Sequence, residues 1–220
     1  AVALQPMHPN QPMQFTLLRV PFFLEPDSDP DPAFEETNRM RLIRKWGGLD
    51  GWERQKRAHR LKERGREVGI EHFNLDRIAS NTMRSHRLVQ FVTKTLGINA
   101  SETMYNDLNK LHFEKGRKLN DVDMLVEVAV AVGMDEDEAR RFLASSEGLD
   151  EIAAAQEVVR GLGISGIPTL CLGGKYMLPS GAVGSSTIID AFRAIEGRGG
   201  ATGSLFADAL GIPDHVMEQT

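Results

Sequence analysis

The run Leu162-Gly163-Ile164-Ser165-Gly166-Ile167-Pro168-Thr169-Leu170-Cys171-Leu172-Gly173-Gly174-Lys175-Tyr176-Met177 decides the fold of this 220-residue chain. A helical pattern ends near Gly163. Ile167-Pro168 then opens an apolar run, Thr169 to Leu172, which is too short for a helix and suits a buried strand. Proline is permitted at the first residue of a strand, because its missing N–H faces the loop and not the ladder. Gly173-Gly174 predicts a two-residue hairpin turn, with Lys175, Tyr176 and Met177 as the returning strand. A loop through Ser180-Gly181-Ala182 leads to a last helix, which Ser185 or Ser186 can cap. Its apolar residues Ile188, Ile189, Phe192 and Ile195 recur at helical spacing before Gly197. The order is helix, X-Pro, strand, hairpin, strand, helix.

Upstream, residues 1–13 hold three prolines and little pattern, and are expected as an irregular leader. Gln14 to Leu24 predicts a strand from Phe15, Leu17, Val20, Phe22 and Phe23, with Pro21 restricting it to an edge or a strand end. From Ala33 to about Leu162 the pattern turns helical. Asn81 can cap a helix carrying Met83, Leu88, Phe91, Val92 and Leu96, with Gly97 as its stop. Asn99, three residues before Glu102, predicts the next start, and Asp121 precedes the apolar run Val122 to Val132, expected to be buried on most sides. Asp135 with Glu138 has capping-box spacing, and Met134 with Ala139 that of a hydrophobic staple. A further helix uses Leu149, Ile152, Ala153 and Val159.

Composition sets outer limits. With 41% hydrophobic and 26% charged residues, the chain has the make-up of an ordinary globular protein. No stretch approaches a membrane span, and no basic segment followed by an apolar one marks a signal peptide, so a cytoplasmic location is expected. Cys171 is the single cysteine, which excludes an intrachain disulfide within these residues and a multi-cysteine metal site. The net charge of −5 hides an asymmetry. Arg39 to Arg66 carries eleven basic residues against Asp50, Glu53 and Glu63, leaving 15 basic and 28 acidic residues elsewhere. Such a block reads as a solvated helical face, or as an attractor of phosphate backbones or of an acidic partner. No nucleic-acid motif accompanies it, so nucleic acid is not an expected partner.

The late motif, with Gly163-Ile164-Ser165-Gly166-Ile167-Pro168 ahead of its strand and Gly174-Lys175-Tyr176 after its turn, resembles the C-terminal half of a thioredoxin fold. More narrowly, it is similar to the DsbA-like group of FrnE-type dithiol oxidoreductases, 2-hydroxychromene-2-carboxylate isomerases and kappa-class glutathione transferases. Pro21-Phe22-Phe23-Leu24-Glu25-Pro26 resembles that group's second-strand end. Asn81-Thr82 with Ser85-His86-Arg87-Leu88 resembles its inserted-domain motif. The likeness covers roughly residues 14–196.

The resemblance implies an α/β fold: a thioredoxin-like domain from 14–32 and 158–196, a large all-helical insertion at 33–157, and a tail at 197–220. It implies a cis bond before Pro168, and a substrate or glutathione lying along Ile167, Pro168, Asn81, Gly181 and Ala182. His86 is a catalytic candidate, able to orient substrate or move a proton; the alternative is a helix histidine bonded to its neighbours. Asn81 is first a helix cap. Cys171 lies inside a predicted strand, where a thiol behaves as a small hydrophobe with a raised pKa. Val183 stands where many members carry Gln after Ser-Gly-Ala.

Members of the oxidoreductase branch begin with a strand leading to Cys-Pro-Trp-Cys, and these residues contain no such segment. In the thioredoxin fold that first strand lies between strand two and the strand after the cis-proline, so the sheet read here is incomplete. Unpaired buried backbone groups cost on the order of 1–3 kcal/mol each. The expectation is therefore a longer gene product, of which this chain is inactive as a dithiol enzyme. Three functions stay open: thiol-disulfide exchange in the complete protein, glutathione-dependent isomerase or transferase chemistry, and a non-catalytic binding module. Expected partners are a thiol or disulfide substrate, protein or small molecule, and a second copy in a homodimer. No bound cofactor or metal is expected, with glutathione a possible co-substrate.

Overall fold

The computed structural model describes residues 15–31, 33–200 and 205–218. The expected leader, 1–13, and part of the glycine-rich stretch, 201–203, lie outside them. In chain order the elements are β1 (Glu36–Thr37), α1 (Asn38–Lys45), α2 (Leu49–His59), α3 (Leu61–Glu67), β2 (Ile78–Ala79), α4 (Met83–Leu96), α5 (Ile98–Phe113), α6 (Val122–Ala131) and α7 (Glu136–Ala144). They continue as α8 (Leu149–Gly161), β3 (Cys171–Leu172), β4 (Tyr176–Met177), α9 (Ser185–Glu196), α10 (Leu205–Leu210) and α11 (Asp214–Met217). Two compact units result. Among the described residues, one holds those up to Leu24, Thr93–Ile98 and those from Gly148 on; the other holds those from Glu25 to Val92 and Asn99–Glu147.

The second of these is helical around one core. Leu88, Met104, Met124, Leu125 and Ala139 are wholly or almost wholly buried there, and Phe91 stacks on Phe142 with ring centroids 4.1 Å apart and planes 6° from parallel. The caps explain why the segments start where they do. Asp121 accepts from the Met124 amide and Asp135 from the Glu138 amide, each satisfying an N–H that the first turn leaves unbonded. Met134 and Ala139 are both buried, as the staple requires. Along α6, Met124, Leu125, Val126, Val128 and Ala129 are buried while Val130 is 43% exposed. Asn99 lies inside α5 and does not cap it, since the helix already begins at Ile98. Where α7 ends, the Arg87 guanidinium donates to the carbonyls of Phe142, Ser145 and Glu147, tying α4 to the chain leaving the helix.

β1 and β2 form a two-stranded antiparallel ribbon with Glu36 opposite Ala79 and Thr37 opposite Ile78. Thr37 also caps α1 by accepting from the Met40 amide. Around α1 the cations are matched: Arg39 pairs with Asp76, Arg41 and Lys45 with Glu25, and Arg44 with Glu36.

In the other unit, Ile98, Ala155, Ala207, Leu210, Ile212 and Val216 form the core, with Leu18 and Val20 against it. Residues 205–218, read from sequence as part of a tail, thus fold into two short helices, because Ala207, Leu210 and Val216 have a core to enter. The expected strand at 14–24 does not form: described residues 15–24 carry no strand. Pro21 contributes no N–H to a ladder, and side chains fix the segment in place of a partner strand. Gln156 Nε2 donates to the Pro21 carbonyl at 2.7 Å, and Thr16 Oγ1 to that of Met217 at 3.0 Å. Phe15 packs edge-on against Phe192, centroids 4.7 Å apart.

The late hairpin differs from expectation by one residue. Leu172 pairs with Tyr176 and Cys171 with Met177, so the loop is Gly173-Gly174-Lys175. Both glycines have positive φ, 59° and 69°, and the Lys175 amide closes the turn on Leu172 O at 3.2 Å. Lys175 becomes the extra residue between turn and ladder. α9 starts with Gly184 as its cap and no side-chain capping bond, which puts Ser185 and Ser186 inside the first turn.

Candidate functional site

The loop around Ile167-Pro168 is built by hydrogen bonds that tie the approach to β3 to the segment leaving β4. The Leu178 amide donates to Leu170 O at 2.9 Å, and the Gly181 amide to Pro168 O at 2.8 Å. Thr169 Oγ1 donates to Gly166 O at 2.7 Å and lies 2.7 Å from Ser180 Oγ. With its single proton committed to the carbonyl, Thr169 accepts from the Ser180 hydroxyl. Gly181 sits at φ +110°, a conformation side-chain-bearing residues rarely adopt.

Within this frame the Ile167–Pro168 peptide is cis. Ile167 is 52% exposed, Pro168 and Ala182 are exposed, and Gly181 is half-buried. Among the described residues, no hydrogen bond engages the backbone N–H or C=O of Ile167. One backbone donor and one acceptor are therefore left unpaired on an exposed residue, between segments tied to each other by the Gly181 and Leu178 amides. An extended backbone pairs with such a donor and acceptor when it adds to a free edge.

Cys171, three residues on, is half-buried, and burial pushes its thiol above the ordinary range. A thiol poor in thiolate is a poor nucleophile. Beyond the hairpin, the Arg198 guanidinium carbon lies 5.4 Å from the centroid of the Tyr176 ring, and the proximity of that cation lowers the phenol's pKa. Sequence reading missed this pair, because Arg198 stands in a glycine-rich stretch without pattern.

The structure thus brings Ile167, Pro168, Gly181 and Ala182 together. Asn81 and His86 belong to the other unit. Asn81 Oδ1 accepts from the Met83 amide at 2.9 Å and its Nδ2 donates to Ser28 O at 2.9 Å, so both ends of its amide are in use. His86 lies in the first turn of α4, where desolvation brings its pKa down to about 4 and keeps the ring neutral at physiological pH. A second histidine escaped the sequence reading. His112 Nε2 accepts from Arg77 Nε at 3.2 Å while Nδ1 faces Arg117 O at 2.9 Å, which places its proton on Nδ1. Arg77 is flanked by Phe73 and Phe113, with its guanidinium carbon 5.3 and 4.8 Å from the ring centroids, and burial lowers its pKa to about 10. Contacts between residues 35 positions apart leave no local signal.

Among the described residues, no group of three or more His, Cys, Asp or Glu is placed to hold a metal ion, and no helix is long and apolar enough to cross a membrane.

Helices around two small ribbons, with a proline loop ahead of a short hairpin, define a thioredoxin-like α/β domain carrying a helical insertion. The model of the DSBA-like thioredoxin domain matches residues 21–192, and the chain belongs to that family. Its fold is also that of a crystal structure of a probable DsbA oxidoreductase from Streptomyces coelicolor. The two are 24% identical with a TM-score of 0.66, over 87% of this chain and 74% of the other. No curated protein matches the chain.

Proposed function

We propose that this domain is the substrate-aligning part of a thiol-disulfide oxidoreductase. The observation that carries the reading is the open backbone of Ile167: an extended substrate strand can donate to its C=O and accept from its N–H, while Pro168 offers no competing donor. In the complete protein a thiolate attacks one sulfur of a disulfide held there, and the other sulfur leaves as thiolate. A second thiol of the protein then resolves the mixed disulfide, so the substrate gains two electrons and the protein becomes a disulfide. The 220 residues contain one cysteine, Cys171, whose burial disfavours the thiolate. The nucleophile is therefore assigned to a cysteine pair outside these residues. Membership of the DSBA-like family supports the same reading.

Two measurements test it. The product of the full coding region is expected to reduce insulin in the presence of dithiothreitol, and the 220-residue chain is not. In amide NMR spectra of the chain, an extended disulfide-containing peptide is expected to shift Ile167 ahead of other residues. A full-length product that lacks dithiol activity and is retained on immobilised glutathione would replace this reading with transferase or isomerase chemistry.

A further inference from the structure

We propose that the cationic run of α2 and α3, Arg54 to Arg66, docks an acidic segment of a partner protein. Seven basic residues stand here against Glu63 alone, and Arg54, Lys56, Arg57, Arg60, Lys62, Arg64 and Arg66 are all exposed. Only Lys56 has a carboxylate, Glu53 at 3.7 Å; the other six have no ion-pair partner among the described residues. The contrast with α1 is sharp, since Arg39, Arg41, Arg44 and Lys45 each reach a carboxylate. Six like charges on adjoining helices repel one another and lower the stability of the segment. An external anion relieves that repulsion.

Charge decides the class of anion. Outside this run the chain holds 19 basic and 30 acidic residues, and its pI is about 5.7. A long phosphodiester would leave the run and meet an acidic remainder, and a nucleic-acid-binding domain typically has a pI above about 9. The neighbouring rings are also engaged with one another: Trp46 stacks on Trp52, at 5.7 Å, and on His59, at 6.2 Å. A short acidic peptide needs only the local patch. Five of the seven cations are arginines, whose forked donors suit carboxylates. Leu49, Val68 and Ile70 bracket the run at 67%, 73% and 44% exposure, offering apolar anchors at its two ends. A partner segment with carboxylates in the middle and apolar residues at its ends fits both features. This inference stands apart from the thiol-disulfide reading, because it uses neither cysteine nor the proline loop.

The test is fluorescence anisotropy of the whole chain with a labelled peptide of about eight residues, glutamates flanked by leucines, in about 50 and about 200 mM NaCl. Binding is expected at the lower salt, weakening roughly tenfold or more at the higher. The triple variant Arg54→Glu, Arg57→Glu, Arg64→Glu should lose it. A control with the same charge change at exposed sites elsewhere, Lys110→Glu, Arg141→Glu, Arg193→Glu, should keep it, and circular dichroism should show both folded. The proposal is overturned if the peptide does not bind at low salt, if the two triple variants bind equally, or if a single-stranded oligonucleotide of equal charge binds more tightly than the peptide.

Discussion

The Gly181 amide donates to the carbonyl of Pro168 at 2.8 Å, and through that bond the loop after β4 fixes the stretch entering β3. Gly181 can do this because it takes φ +110°. A Cβ there would meet nothing within 4 Å, so replacement meets no clash and only backbone strain. Gly181→Ala should destabilise the chain by about 1–3 kcal/mol, read as a lower urea midpoint. The Ile167 and Thr169 amides should shift in NMR spectra. An unchanged midpoint would show that the loop does not depend on this conformation.

Helix starts offer a graded comparison. Asp121 and Asp135 cap α6 and α7 in the same way, through the amide three residues on, so Asp135→Ala should cost about 1 kcal/mol in urea denaturation. Asp121 also reaches Arg117 at 3.2 Å. Its removal should cost at least as much, and the excess should shrink in high salt.

Core packing in the helical unit is steeper in its demands. Leu88 is fully buried, and Leu88→Ala should lower stability by about 2.7–5 kcal/mol, the range for leucines that leave a cavity. Loss near the low end would mean that neighbouring side chains collapse into the space.

Two histidines set the response to acid. Desolvation holds His86 down to about 4, and His112 is lowered by burial and by the adjacent Arg77 and Arg41 charges. The unfolded chain takes up these protons first as pH falls below about 6.5. Stability is therefore fully present above that value and lost on acidification, at up to about 1.4 kcal/mol per pH unit for each group between its unfolded and folded pKa. His86→Gln should flatten the stability difference between about pH 6.5 and about pH 4.5 measured by urea melts.

The thiol supplies a direct chemical check. With Cys171 half-buried and its pKa raised, its reaction with a disulfide reagent near pH 8 should be slower than that of free cysteine and should accelerate in urea. Reaction as fast as free cysteine would reopen its candidacy as a nucleophile.

Much of this was readable in the sequence, for reasons that differ by element. Asp121, Asp135 and the Met134–Ala139 staple act within five residues, so their spacing alone locates α6 and α7. The proline loop was legible because Pro168, Gly173 and Gly174 mark it locally. What failed depended on distant partners. Phe15 to Phe23 have strand composition, but a strand exists only through a neighbour. Ser185 and Ser186 were plausible caps, yet Gly184 took the position. Lys175 slipped out of the ladder because two positive-φ glycines close the turn before pairing begins. Arg77 with His112, and Tyr176 with Arg198, meet only after folding.

The segment 15–24 is anchored by the amide of Gln156 and the hydroxyl of Thr16 in place of a ladder. Where main-chain pairing positions a strand, almost any residue but proline can be exchanged without moving it. Here placement rests on particular side chains, the Thr16 and Gln156 hydrogen bonds together with Phe15, Leu18, Val20 and the buried Pro21, so evolutionary drift at any of them would loosen the stretch.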